Sequence, residues 1–445
     1  MLGIAVLGVV AILLAATAGF FVVRTGPDVL VSVGVAVQIL NGNADLLGFP
    51  VAPDRLLIFA GLGWLAIKNR PERLKITGVH LMLLTTSAIG IISALWADTF
   101  MTSEGFFGLL DKLGIVPFVL FALAPLLYRT KEERRRLLIV MAVVGAYLSI
   151  TAFLEYLDQT QLLFPSFIGD PDVGIHFGRA RGPFLESVAM GLGLLMVSVL
   201  MYIARTAFRT RLGRQAATVI GVACMLATIV TLTRAVWLAA LVAVVVLLAL
   251  DPRARRYSVF VVPVGILAIF MVFTFVPQLN TSVSERAAEQ EPLWDRLNTN
   301  DAAIAMVKDK PWTGIGWGTF PEKSPDYMRL RDDIPLTGAG IDVHNVPLSN
   351  AAELGLIGGG FWLATLLTAI GGALLKPTIP EFRMWRYGAL AIAASWGTVA
   401  MFGPLSYPFA NSLLWLCAGI VATPRALIES PKVEEDRRSL AGAWA

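Results

Sequence analysis

Val343-His344-Asn345-Val346-Pro347-Leu348-Ser349-Asn350-Ala351-Ala352-Glu353-Leu354-Gly355-Leu356-Ile357-Gly358 is the place where a long polar loop runs back into an apolar segment. The apolar segment, residues 347–375, is longer than the roughly 20 residues a helix needs to cross a bilayer, so it reads as a membrane span. Pro347 suits a first helical turn, where its missing N–H leaves nothing unpaired. Asn345 stands where a cap belongs, with a side-chain oxygen able to accept from the first free N–H groups. Gly355 and Gly358 are three apart, so on one continuous helix they share a face and admit a neighbouring helix. His344 stands at the loop end, where an imidazole with an ordinary pKa near 6.5 can gain or lose a proton. The plainer reading is a loop histidine beside an ordinary helix start.

Composition extends the membrane reading to the whole chain. Of 445 residues, 56% are hydrophobic and 15% charged. Soluble domains carry about 25% charged residues, so the expected class is an all-α, polytopic membrane protein. Apolar runs mark spans near 2–23, 28–40, 55–68, 78–96, 105–128, 136–157, 184–204, 214–232, 235–250, 257–276, 347–375, 386–403 and 408–423. That makes thirteen, or twelve if the short 28–40 run or the pair around Gly403-Pro404 counts differently. The first run lacks a basic n-region and a small-residue cleavage site, and reads as a retained span. Cys224 and Cys417 lie in apolar runs and read as small buried hydrophobes.

Charge sorts the loops. Segments 68–75, 129–136, 205–214, 253–256, 376–386 and 425–438 hold 23 of the 36 Lys and Arg residues. By the positive-inside rule they face the cytoplasm, which accounts for the basic charge without nucleic acid. Residues 277–346 then form one large extracytoplasmic loop with seven Lys/Arg against eleven Asp/Glu. Residues 1–425 read as one transmembrane domain, and 426–445 as a polar cytoplasmic tail. A loop of that length exceeds any connection and signals function.

Within the large loop, residues 294–307 have the mixed pattern of an amphipathic helix lying on a membrane surface. Lys310-Pro311-Trp312-Thr313-Gly314-Ile315-Gly316-Trp317-Gly318-Thr319-Phe320 follows, and its alternating glycines predict a tight backbone turn with aromatic anchors. A dinucleotide fingerprint is a poor alternative there, because no βαβ unit surrounds it and the loop lies outside the cytoplasm. Arg234, between two apolar spans with little loop around it, is costly unless it snorkels or has a partner. Guanidinium forks grip phosphate oxygens, and Arg181 and Arg296 are further outer arginines able to join such a group; Arg179 is another. Glu353 enters the helix after His344 and could orient it or pair with an arginine. Asp170-Pro171-Asp172 has the look of a metal-binding pair but fits a proline-centred turn with solvated carboxylates better. His80 and His176 carry no catalytic expectation.

His344-Asn345, nine residues, then Gly355-x-x-Gly358 resembles the signature of the O-antigen ligase and polymerase superfamily. Thr233-Arg234-Ala235 opening an apolar span, Arg296 ahead of Asp309-Lys310-Pro311 and the glycine run, and Arg181-Gly182-Pro183-Phe184 fall in the order that family shows. The chain departs from it after Phe184, where Leu185-Glu186-Ser187 replaces an asparagine-rich stretch. The resemblance implies a membrane glycosyltransferase that moves a glycan from undecaprenyl diphosphate to an acceptor hydroxyl on the outer face of the plasma membrane. It also implies acceptors among lipids, glycans and proteins.

The implied roles are His344 as general base, with Arg234, Arg296 and Arg181 on the diphosphate and Asn345 and Glu353 among the substrate contacts. No cofactor is expected, and fixed cations make a metal unnecessary. The alternative is a transporter of a lipid-linked or anionic substrate, whose signs would be repeats, broken helices and ionisable groups near the bilayer midplane.

Overall fold

The structure is a computed structural model that describes residues 26–40, 42–49, 52–68, 76–256, 258, 291–329, 334–376 and 379–423. The expected spans 2–23 and 257–276, and the tail 426–445, lie outside the described residues. Among the described residues every regular element is helical. In chain order the helices are α1 (Pro27–Val37), α2 (Pro53–Lys68), α3 (Gly78–Trp96), α4 (Ser103–Gly108), α5 (Ile115–Leu127), α6 (Lys131–Tyr156), α7 (Ser187–Ala207) and α8 (Arg211–Val230). They continue as α9 (Arg234–Leu250), α10 (Glu291–Asp309), α11 (Phe320–Tyr327), α12 (Val346–Leu366), α13 (Gly372–Leu375), α14 (Arg383–Ala400) and α15 (Pro408–Val421).

Six helical segments among the described residues are long and apolar enough to cross a membrane. α7 is the centre of the bundle, almost wholly buried against α6, α8, α9, α14 and α15. α3 lies at the edge and leaves Leu81, Leu84, Ile92 and Leu95 exposed. An apolar face of that extent would be a liability in water and is what lipid requires. Where helices approach closest, small residues allow it: a Cβ on Gly419 of α15 would lie 2.5 Å from the Phe121 carbonyl of α5.

Among the described residues, the basic segments gather at one end of the bundle. Thr130 and Glu133 form a capping box that starts α6, with the Glu133 amide donating to Thr130 Oγ1 at 3.2 Å. Arg134 then donates to the Tyr128 and Arg129 carbonyls and pairs with Glu381. Arg136 Nε reaches Asp28 at 2.8 Å, tying α6 to α1. Segments 97–102, 157–186, 231–233, 291–329, 334–345 and 401–407 form the opposite end. Among the described residues, the two sets of loops separated by charge in the sequence therefore occupy opposite ends of the bundle.

Two apolar runs that read as single spans are broken. The 105–128 run stops at Gly114, which has φ 114°, between a wide turn over Leu109–Leu113 and α5. The 347–375 run breaks at Gly355, with φ 72° and ψ 177°, a conformation essentially confined to glycine. A wide turn over Leu367–Gly371 interrupts the same run again before α13.

The expected shared face of Gly355 and Gly358 is therefore corrected. Gly358 does face a helix, with a Cβ there 3.1 Å from Ile89 of α3, but Gly355 faces loop backbone.

The amphipathic helix of the large loop is also re-assigned. α10 turns Ala302, Ala303 and Met306 onto Ile315, Phe320, Val343 and Ala352, forming a small second core. Its apolar stripe is filled by protein, so a membrane surface is not what that stripe covers.

Candidate functional site

The glycine run and the break in α12 build each other. A helix interrupted at Gly355 frees main-chain groups that a dry interior would make costly. The run supplies their partners: Ile315 N–H donates to Ala352 O and Gly316 N–H to Glu353 O, both at 3.0 Å. In return, Leu356 N–H donates to Pro311 O at 2.7 Å. Gly314, Gly316 and Gly318 all have positive φ, and a Cβ on Gly314 would collide with the Glu353–Gly355 backbone. Trp317 anchors the run as expected. Its indole N–H donates to Gly105 O at 3.1 Å, and Thr99 Oγ1 donates to its carbonyl at 2.6 Å. Trp312 stays exposed.

That joint fixes the segment entering α12. Asn345 is the cap that its position suggested, with Oδ1 accepting from Leu348 N–H at 3.0 Å. His344, one residue earlier, is half-buried, and its Nδ1 is buried without a hydrogen-bond partner. Burial holds the imidazole pKa below its ordinary value, and the Arg296 guanidinium adds to that; Asp295 and Asp342 push the other way. A neutral ring at neutral pH is one that can accept a proton.

Arg296, from a separate element, lies within electrostatic reach of His344 and also of Arg234. Arg296 is on α10, half-buried, with Nε lacking a hydrogen bond; burial first and the Arg234 charge second lower its pKa. Arg234 is the first residue of α9 and is exposed. Its backbone is held firmly, because Thr231, Leu232 and Thr233 are buried and Thr233 Oγ1 donates to Thr231 O at 2.9 Å. A cation at a helix N-terminus has the wrong sign for the helix dipole. Among the described residues neither guanidinium has an ion-pair partner within bonding distance, although Asp295 attracts Arg296 electrostatically. Two like charges thus adjoin at a helix N-terminus, a combination that an anion stabilises.

Arg181 does other work. It is 1% exposed, and its guanidinium donates to the carbonyls of Val173, Ile168 and Asp170 while lying over the Phe177 ring. The Arg181 and Gly182 amides donate to the Glu155 carboxylate. All three identified bonds of the side chain fold the 166–184 loop onto itself. Asp170-Pro171-Asp172 forms the expected turn, with Asp172 N–H donating to Asp170 Oδ1 at 3.0 Å. Among the described residues no group of three or more His, Cys, Asp or Glu is arranged to hold a metal ion.

Glu353 is fully buried, and its Oε1 accepts from Phe320 N–H at 3.2 Å. Its other oxygen lies 3.8 Å from Lys112 Nζ, and Lys112 also bonds Asp342 at 3.0 Å. Glu353 thus faces a lysine rather than an arginine or His344. Lys112 and Asp111 escaped notice in the sequence, although a charged pair inside the apolar 105–128 run was a visible signal. Asp111 pairs with Arg55 of α2. Glu186, in the stretch that departs from the family pattern, accepts from the Tyr407 hydroxyl, and burial pushes its pKa up to about 7.

The site defined by the structure is thus an all-helical membrane bundle with two arginines and a half-buried histidine at one end. Residues 217–363 match the family model described as O-antigen ligase. The match, about a third of the chain, runs from α8 through the break in α12 and supports the resemblance to the O-antigen ligase superfamily. It includes Arg234, Arg296, His344, Asn345 and Glu353, and leaves out Arg181 and Lys112. Comparison with curated proteins gives no significant match. The family carries out glycan transfer of the ligase or polymerase type.

Proposed function

We propose that the protein transfers a glycan from undecaprenyl diphosphate to an acceptor hydroxyl at the outer face of the plasma membrane. The observation that carries this reading is that Arg296 stands within electrostatic reach of both Arg234 and His344, and the matched region contains all three. The arginine pair binds the diphosphate and stabilises charge growing on it as the glycosidic C–O bond breaks. The acceptor oxygen forms a bond to the anomeric carbon from the opposite side, inverting it. His344 takes the acceptor proton, and undecaprenyl diphosphate leaves. Guanidinium groups supply the charge compensation, so the reaction proposed here runs without a metal.

Transport remains the rival because of one observation. The helix breaks at Gly114 and Gly355 place Asp111, Lys112 and Glu353 beside interrupted backbone, the arrangement transporters use for ion sites. Turnover by the purified chain without a gradient separates the two readings. In single-turnover transfer, His344→Ala should lose roughly 10²–10⁴-fold while binding the donor normally. Arg234→Lys should fold but lose most donor affinity, because an ammonium cannot reproduce the planar fork. Normal transfer by His344→Ala would remove it as the base.

A further inference from the structure

A polar cavity lies at the same end of the bundle, and neither Arg234 nor Arg296 lines it. It encloses about 480 Å³ between α2, the α4–α5 break, the glycine run and the start of α15. Two buried carboxylates in its wall have an oxygen with no hydrogen-bond partner. Asp111, 5% exposed, pairs with Arg55 through Oδ2 and leaves Oδ1 unbonded. Glu353, 0% exposed, bonds Phe320 N–H through Oε1 and leaves Oε2 without a hydrogen bond. Buried acceptors without donors are costly, and a ligand rich in hydroxyl groups satisfies them.

The charge balance narrows the ligand. The wall holds five carboxylates against two cations, Arg55 and Lys112, and both cations are already paired. A phosphate or other anion is repelled there, in contrast to the Arg234–Arg296 pair. Phe49 and Phe107 contribute ring faces, each about half exposed, against which the C–H face of a sugar can lie. The volume falls within the 300–1,000 Å³ usual for small-molecule sites and has room for roughly one or two sugar rings. Asp342 connects the two regions: it lines the cavity, bonds Lys112 and stands two residues before His344.

From the unsatisfied carboxylate oxygens of Asp111 and Glu353 in this aromatic-walled cavity, we infer that it is a subsite for an uncharged, hydroxyl-rich sugar unit. The inference rests on the glycosyl-transfer reading and deepens it. The sugar belongs either to the acceptor or to the donor glycan, and both present the same hydroxyl chemistry.

The test reads binding without turnover. The full chain in lipid nanodiscs is titrated with methyl glycosides of neutral hexoses and N-acetylhexosamines, followed by saturation-transfer NMR, and separately with farnesyl diphosphate. At least one neutral glycoside should bind. Ala52→Trp, which fills the cavity from its wall, and Glu353→Gln should each weaken that binding about tenfold or more, the effect of losing a charge-assisted hydrogen bond. Farnesyl diphosphate should bind both variants as it binds the wild type, and only Arg234→Gln or Arg296→Gln should lose it.

Absence of binding by every neutral glycoside, or sugar binding indifferent to both cavity variants, overturns the inference. Competition kinetics assigns the source: the bound glycoside competes with acceptor if the subsite is the acceptor's, and with donor if it is the donor's. A chain that binds sugar here but transfers no glycan rejects the transfer reading alone.

Discussion

Replacing Gly355 by alanine tests whether the paired helix break holds the site together. The residue has φ 72° and ψ 177°, and a Cβ there would overlap the Trp312 carbonyl and lie 2.6 Å from Thr313 N. A non-glycine residue in that region costs about 1–3 kcal/mol before any collision is counted. To relieve the collision, the glycine run must move away. It then loses the bonds from Ile315 to Ala352, Gly316 to Glu353 and Leu356 to Pro311, each contributing about 0.5–1.5 kcal/mol. The joint should be weakened by about 3–7 kcal/mol, enough to favour local opening while the surrounding bundle stays folded.

Hydrogen exchange read by mass spectrometry on purified protein is the assay. Amides of Ile315, Gly316 and Leu356 should exchange at least about 100-fold faster, and transfer should fall in parallel. Gly360→Ala is the control, because Gly360 is helical with nothing near a Cβ, and it should be neutral or mildly stabilising. Exchange and activity in Gly355→Ala equal to those of Gly360→Ala would refute the reasoning.

The pH profile offers a second check. kcat/KM should rise with pH as free His344 loses its proton, with a midpoint below about 6.5 because burial and Arg296 both disfavour the charged ring. Arg296→Gln removes one of those causes and should move the midpoint to higher pH; Asp295→Asn removes a stabilising charge and should move it lower. An unmoved midpoint in both variants assigns the titration to another group. Arg181→Gln should lower the unfolding temperature, since it strands the Val173, Ile168 and Asp170 carbonyls, while the folded protein keeps its donor affinity. Lost affinity at unchanged stability would move Arg181 into the diphosphate site. Cysteines replacing exposed Asp326 and Arg209 should label from opposite sides of the membrane in intact cells, and labelling from one side would undo the outer-face assignment.

Sequence alone determined the class of fold because the bilayer leaves so little choice. Backbone in lipid must be satisfied within its own segment, so apolar runs of sufficient length become helices, and basic loops sort to one end. It also determined where candidate residues stand in local patterns: Asn345 as a cap, Arg234 at the start of a span, His344 where the loop re-enters.

What the tertiary structure decided is which of these side chains are free. Arg234, Arg296 and Arg181 read alike as outer arginines, yet carbonyls folded around Arg181 occupy it while the other two lie within electrostatic reach of each other. The break at Gly355 could not be read from its own run, since glycine in a long apolar segment permits a helix as readily as a turn. Its φ is chosen by Pro311 and Ile315, whose backbone completes the bonds that the interrupted helix cannot make. Lys112 likewise meets the segment before α12 only because Asp342, 230 residues away in the chain, is brought within 3.0 Å of it. Local patterns report what a residue can do; hydrogen bonding and charge pairing between distant segments decide whether it remains available to do it.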